Sequence, residues 1–136
     1  MNIIVCLDER NGMSFNKRRQ SRDRAVITMV SKIIDGRCIR MHPKSQQLFS
    51  GLDMKIHACV EYLETAGEND WCFIETENVL PYMGFVQKIV IFRWHRAYPF
   101  DLRFPAERLI TDFSRVSIAD IQGFSHPIIT MEVYSR

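Results

Sequence analysis

Five cations, Lys17, Arg18, Arg19, Arg22 and Arg24, surround one acid, Asp23, within eight residues. A guanidinium group forks onto phosphate or carboxylate oxygens through parallel hydrogen bonds, so an arginine-rich loop ahead of a helix is a candidate anion site. The alternative is a solvated loop whose charges pair with acids elsewhere. Trp94-His95-Arg96 follows an apolar run and places an aromatic platform beside two donors. The same pattern arises when a strand leaves the core, Trp94 packing under a neighbour while His95 and Arg96 face water. Glu75 and Glu77 follow another apolar run, where two carboxylates suit general acid-base chemistry or a cation, or simply cap the next helix. Of four histidines, only His57 has a cysteine two residues away, Cys59, and no second pair at metal-ligand spacing follows. No metal centre is expected. Ser45, Ser125 and His126 belong to no Gly-x-Ser-x-Gly elbow, so the sequence offers no hydrolase motif.

Positioning such groups requires strands and helices, and their pattern is legible in outline. Ile3-Ile4-Val5-Cys6-Leu7 predicts a first strand and the polar stretch 8–22 a long loop. A helix follows, with Ser21 as N-cap, Asp23 complementing the dipole in its first turn, an apolar face of Val26, Ile27, Val30, Ile33 and Ile34, and Gly36 as its stop. A second strand covers 37–41 and a helix 43–49, giving a β-α-β opening. Beyond a linking loop at 50–56, Cys59, Val60, Tyr62 and Leu63 predict a short amphipathic helix ending near Gly67. Then come a buried strand at 71–74, a helix at 79–86 with Pro81 in its first turn, and a strand at 88–96. Its unbroken apolar start, Ile89 to Phe92, predicts a central strand buried on both faces and flanked by those containing Ile3 and Phe73. The segments 113–121 and 128–134 close the chain as an antiparallel hairpin around Gln122-Gly123. The expected fold is α/β, a three-layer domain with a mostly parallel sheet and a C-terminal antiparallel hairpin.

The chain has 136 residues, 46% of them hydrophobic and 25% charged, which suits one domain spanning 1–136 with a real core. The formal net charge of +2 is too small for a generally basic nucleic-acid or membrane-surface binder, so any such role must come from local clustering. No basic leader precedes the first apolar run, and no run approaches the roughly 20 residues of a membrane span, so a cytoplasmic protein is expected. The four cysteines, Cys6, Cys38, Cys59 and Cys72, lie in or beside apolar runs without a Cys-x-x-Cys pair, which predicts buried, reduced thiols.

Several strings, taken in order, resemble dihydrofolate reductase. Ile4-Val5-Cys6-Leu7-Asp8-Glu9-Arg10-Asn11-Gly12-Met13 is similar to that family's first strand and its Asn-x-Gly-Ile-Gly turn. Met41-His42-Pro43-Lys44-Ser45 resembles its Met-Gly-Arg-Lys-Thr, and Phe73-Ile74-Glu75-Thr76 stands where it has a strand ending in Gly-Gly. Tyr98-Pro99-Phe100-Asp101 leading to Phe104-Pro105 is similar to its Gly-Asp-Thr-x-Phe-Pro, and Ser125-His126 with Glu132-Val133 to its last hairpin strand. The resemblance implies a dihydrofolate reductase-like fold, with Lys44, Ser45, Glu75 and Thr76 beside the ligand.

The departures bear on function. The family's Leu-Pro-Trp and pterin-holding acid are replaced by Lys17-Arg18-Arg19-Gln20-Ser21-Arg22-Asp23, where Asp23 is a candidate for the family's catalytic acid against the plainer reading of a residue that complements the helix dipole. Glu75-Thr76 puts side chains and a negative charge where a nucleotide pyrophosphate would meet Gly-Gly. The stretch between Phe49 and Trp71 is too short for a whole adenosine-binding lobe, so one strand should be missing. The reading that follows is a dihydrofolate reductase-like domain that has lost reductase activity and binds a ligand or partner, with no cofactor expected. Two alternatives stand beside it. One is a residual NADPH-dependent reductase of a small heterocycle with Asp23 as proton relay. The other is a nucleic-acid-associated protein using Lys17, Arg18, Arg19 and Arg22.

Overall fold

The computed structural model describes Met1 through Arg136. In chain order the elements are β1 (Asn2–Leu7), β2 (Gly12–Phe15), β3 (Arg18–Arg19), α1 (Arg24–Ile34), β4 (Cys38–Met41), a 3-10 helix (Pro43–Phe49), β5 (Lys55–Ala58), β6 (Trp71–Ile74), a second 3-10 helix (Leu80–Phe85), β7 (Lys88–Arg93), β8 (Leu102–Arg103), α2 (Glu107–Asp112), β9 (Ser114–Gln122) and β10 (Ile128–Ser135). Seven strands form one sheet in the order β5-β4-β6-β1-β7-β10-β9. Strands β5, β4, β6, β1 and β7 run parallel, while β10 is antiparallel to both β7 and β9. This is the expected mixed α/β domain with its closing hairpin.

The unbroken apolar runs are explained by cover on both faces. One face, with Ile3, Val5, Leu7, Ile74, Ile89 and Ile91, packs against Val79, Met83, Val86, Phe104, Leu109 and Phe113. The other, with Ile4, Phe73, Val90 and Phe92, packs against Val26, Ile27, Val30 and Ile34 of α1 and against Phe49. Phe49 meets Phe73 edge to face at 5.2 Å between ring centroids, a favoured aromatic geometry.

Several expectations need correction. Strand β7 is buried, but its neighbours are β1 and β10; the strand of Phe73, β6, lies on the far side of β1. Strand β7 also ends at Arg93, because His95 turns into the left-handed region at φ 60°. The stretch 8–22 is no open loop, since β2 and β3 pair as a hairpin and β2 pairs with β8 in a separate three-stranded sheet. Asn16 and Lys17, the two residues between paired Phe15 and Arg18, both have positive φ, at 51° and 59°. A two-residue turn of that kind matches the natural twist of a hairpin.

The N-cap of α1 is Asp23 rather than Ser21, and its carboxylate accepts the Ala25 N–H. The helices expected at 43–49 and 79–86 are 3-10 segments, in keeping with their brevity. The helix expected around Tyr62 is a series of turns that still delivers Tyr62 and Leu63 to the core. Between Phe49 and Trp71 the chain forms one strand, β5. All four thiols are free, yet only Cys72 is fully buried and Cys38 is exposed. No helix is long and apolar enough to cross a membrane.

Candidate functional site

The carboxyl ends of parallel strands leave a crevice where α/β sheets usually hold ligands, and here the ends of β1, β6 and β7 share one edge. Arg19 of β3 reaches over that edge to Glu75, just past β6. Its Nε donates to Oε2 at 2.8 Å and a terminal nitrogen to Oε1 at 3.0 Å, a bidentate pair. Ser45 Oγ, in the first 3-10 helix, donates to the same Oε1 at 2.7 Å, and Arg19 also reaches the Lys44 carbonyl at 3.3 Å. The Glu75 side chain is only 11% exposed, so water screens this pair little. Hydrogen bonding to Glu75 raises the Arg19 pKa further. Burial of its sulfur, and next the charge of Glu75, push the nearby Cys6 thiol far up.

Of the residues singled out from sequence, Arg19, Lys44, Ser45 and Glu75 therefore meet, Lys44 through its carbonyl. Thr76 is directed elsewhere, its hydroxyl donating to Glu77, which also accepts from Tyr62. Glu77 is thus a hydrogen-bond acceptor for two hydroxyls, and the Leu80 N–H that opens the second 3-10 helix donates to Asn78 rather than to Glu75 or Glu77. Lys17, Arg18 and Arg22 are exposed and form no ion pair. Arg24 lies over the Phe124 ring at 4.9 Å. Between α1 and the first 3-10 helix is a cavity of about 620 Å³ with Arg22, Arg24, Ile27, Leu48 and Phe124 among its walls.

Asp23 stands at the other side of this cavity and is 3% exposed. Besides the Ala25 N–H, its carboxylate accepts the backbone N–H groups of Phe124, Ser125 and His126 at 2.8 to 3.1 Å. Burial alone would raise its pKa, but these bonds, led by that of Phe124, outweigh it and hold the carboxyl well below the usual carboxylate range. Gly123 permits the wrap, for a Cβ there would lie 2.1 Å from the His126 carbonyl oxygen and 2.9 Å from Asp23 Oδ2.

The His126 ring is clamped on three sides. Its Nδ1 lies 3.1 Å from Asp23 Oδ2, its Nε2 lies 3.0 Å from Ser21 Oγ and 3.2 Å from the Tyr98 hydroxyl, and Trp94 stacks on its face at 4.5 Å. Trp94 of the proposed platform is therefore buried against His126, while His95 bonds Thr130. From sequence Ser21 was expected only as a helix N-cap, and His126 and Tyr98 had no chemical role assigned. Asp8, wholly buried at the end of β1, was also missed; it accepts from the Arg10, Gly12 and Tyr98 N–H groups and from Gln20. It thereby joins β1 to β2 and to the Tyr98 segment. The local signal for Asp8 was the turn Asn11-Gly12 that follows it, whose backbone N–H groups need an acceptor.

A solved dihydrofolate reductase from Enterococcus faecalis, complexed with NADP(H) and RAB-propyl, superposes on 99% of this chain and 95% of its own with a TM-score of 0.67. The chain has the dihydrofolate reductase fold. Sequence identity over that match is 11%, a level that speaks for the fold alone. No family model and no curated protein matches the sequence.

Proposed function

We propose that this dihydrofolate reductase-like domain has lost reductase chemistry and binds an anionic ligand or partner at the cavity between α1 and the first 3-10 helix. The observation that carries the loss of reductase chemistry is the Arg19–Glu75–Ser45 cluster. A nucleotide pyrophosphate needs close backbone approach and positive potential. Glu75 supplies a poorly exposed carboxylate instead, and its partner Arg19 is already engaged. These residues do not fit the phosphates of NADPH, and no step is derived through that cofactor. Asp23 is a poor proton relay for the same kind of reason, because a carboxylate saturated with donors stays ionised and has no proton to give. Positive potential is instead available from Arg22 and Arg24, which line the cavity beside α1.

Calorimetric titration with NADPH is expected to show no saturable binding. Micromolar binding that methotrexate competes away would replace this reading with that of a residual reductase acting on a small heterocycle.

A macromolecular anion such as RNA is favoured by one observation, the lack of carboxylate partners for Lys17, Arg18 and Arg22. Reversal of Arg19 would set two carboxylates together at Glu75, so Arg18→Glu with Arg22→Glu is the cleaner variant. For a single-stranded RNA probe, losing two phosphate contacts should reduce the slope of log affinity against log salt by about 1.4, at ~0.7 per contact. An unchanged affinity and slope would remove the nucleic-acid reading.

A further inference from the structure

Hydrogen bonds on the two nitrogens of His126 link a buried carboxylate to a partly exposed serine hydroxyl. Nδ1 faces Asp23 Oδ2 at 3.1 Å, and Nε2 faces Ser21 Oγ at 3.0 Å. An ionised carboxylate can only accept, so Nδ1 must carry the ring proton and Nε2 presents its lone pair to the Ser21 hydroxyl. Asp23 is buried, held ionised and fixed by three backbone N–H groups of the 124–126 segment, while Trp94 stacks on the ring and stops it turning. A general base is thus held in one tautomer and one orientation with a hydroxyl at its open nitrogen.

We propose that Ser21 is a nucleophile, activated by His126 and oriented through Asp23, that takes the acyl group of a carboxylic ester. The assignment is independent of the ligand-binding reading above. Nucleophile, base and orienting acid are recognised by their geometry and roles, whatever the fold and chain order. Ser125 does not compete for the role, because its hydroxyl lies on the Nδ1 side and donates to Asp23. The Tyr98 hydroxyl lies 3.2 Å from the same Nε2, farther than the 3.0 Å of Ser21 Oγ, so Ser21 is the nearer donor to its single lone pair. Ser21 is partly exposed, so an ester reaches its hydroxyl from solvent.

The chemistry balances without any redox partner. Ser21 Oγ forms a bond to the ester carbonyl carbon as its proton passes to His126 Nε2, and the carbonyl oxygen takes up the electron pair of the broken π bond. When the tetrahedral intermediate collapses, the carbon–oxygen bond to the leaving alcohol breaks and His126 returns the proton to that oxygen. Water then attacks the acyl-serine by the same route, giving the carboxylic acid and free Ser21.

The test is covalent labelling of the intact chain by a fluorophosphonate, with p-nitrophenyl acetate turnover as a second readout. Peptide mass spectrometry should place the adduct on Ser21, at a rate about 100-fold or more above other serines of the folded chain, the lower end of what a positioned base contributes. That ratio is read in the wild-type protein alone and does not depend on whether a variant folds. Ser21→Ala should abolish the adduct and the acetate turnover, and His126→Gln, where circular dichroism shows it folded, should slow both by a similar factor. No adduct on Ser21, an adduct spread evenly over surface serines, or a Ser21 adduct formed equally fast in folded His126→Gln would each overturn the proposal.

Discussion

Replacing Asp23 with alanine is expected to destabilise the protein by about 3 kcal/mol or more, since three backbone N–H groups lose their buried acceptor at roughly 1 to 3 kcal/mol each. The carboxylate is the N-cap of α1 and the shared acceptor for the 124–126 segment. Removing it leaves backbone donors buried without partners, which costs more than the bonds themselves contribute. Urea unfolding of Asp23→Ala against wild type measures this, and a loss below about 1 kcal/mol, no more than an ordinary N-cap, would show that the loop is held by something else. The acid dependence has a definite sign. The native carboxyl titrates below its unfolded value of about 3.9, so its contribution is complete above that pH and disappears as pH falls towards the lower native value. Asp23→Asn keeps the capping oxygen without the charge, and should lose this part of the acid sensitivity.

The parallel strands were legible because their neighbours left a mark in the sequence. Burial on both faces demands unbroken apolar residues, and Ile3 to Val5, Trp71 to Ile74 and Ile89 to Phe92 supply them. Their order was not legible. Placing β6 next to β7 was as consistent with composition as the observed order with β1 between them, since all three strands are equally apolar. The β2–β3 hairpin was hidden for the opposite reason, being short, polar on its β3 side and closed by Asn16-Lys17 rather than by Asn-Gly. Helix α2 carries no cap residue at Ala106 and only six residues, too few for an apolar period to emerge.

Of the site, the residue types were visible and their partners were not. Arg19 meets Glu75 across 56 positions, and Ser21 meets His126 across 105. Nothing in a single sequence marks such pairs. Reading the basic run as one uniform surface therefore merged two environments: Arg19 is committed to Glu75, whereas Lys17, Arg18 and Arg22 remain in solvent. Strand pairing separates them, because Arg18 and Arg19 adjoin on β3 and successive strand side chains point to opposite faces. The same chain reversal that delivers Arg19 to Glu75 carries the next residues, Gln20 and Ser21, to Asp8 and His126. One hairpin thus supplies both clusters beside the strand ends.

The sheet order makes the second large prediction. Ile91 is fully buried in β7, where it stands opposite Val5 of β1 and opposite Glu132 of β10. Its face is sealed by the second 3-10 helix and α2, through Met83, Val86, Leu109 and Phe113. Ile91→Ala removes three carbon atoms from a place that strands on both sides keep from collapsing, and should cost about 2 to 5 kcal/mol. The urea midpoint should fall with its slope unchanged, as for a pure loss of stability. Val116→Ala provides the contrast: Val116 lies on the edge strand β9 and is 60% exposed, so its change should stay within about 0.5 kcal/mol. Equal effects at the two positions would mean that β7 is not interior and that β10 does not separate it from the edge. A large loss at Ile91 alone would support the order β1-β7-β10-β9, on which the placement of Trp94 and His126 beside Asp23 depends.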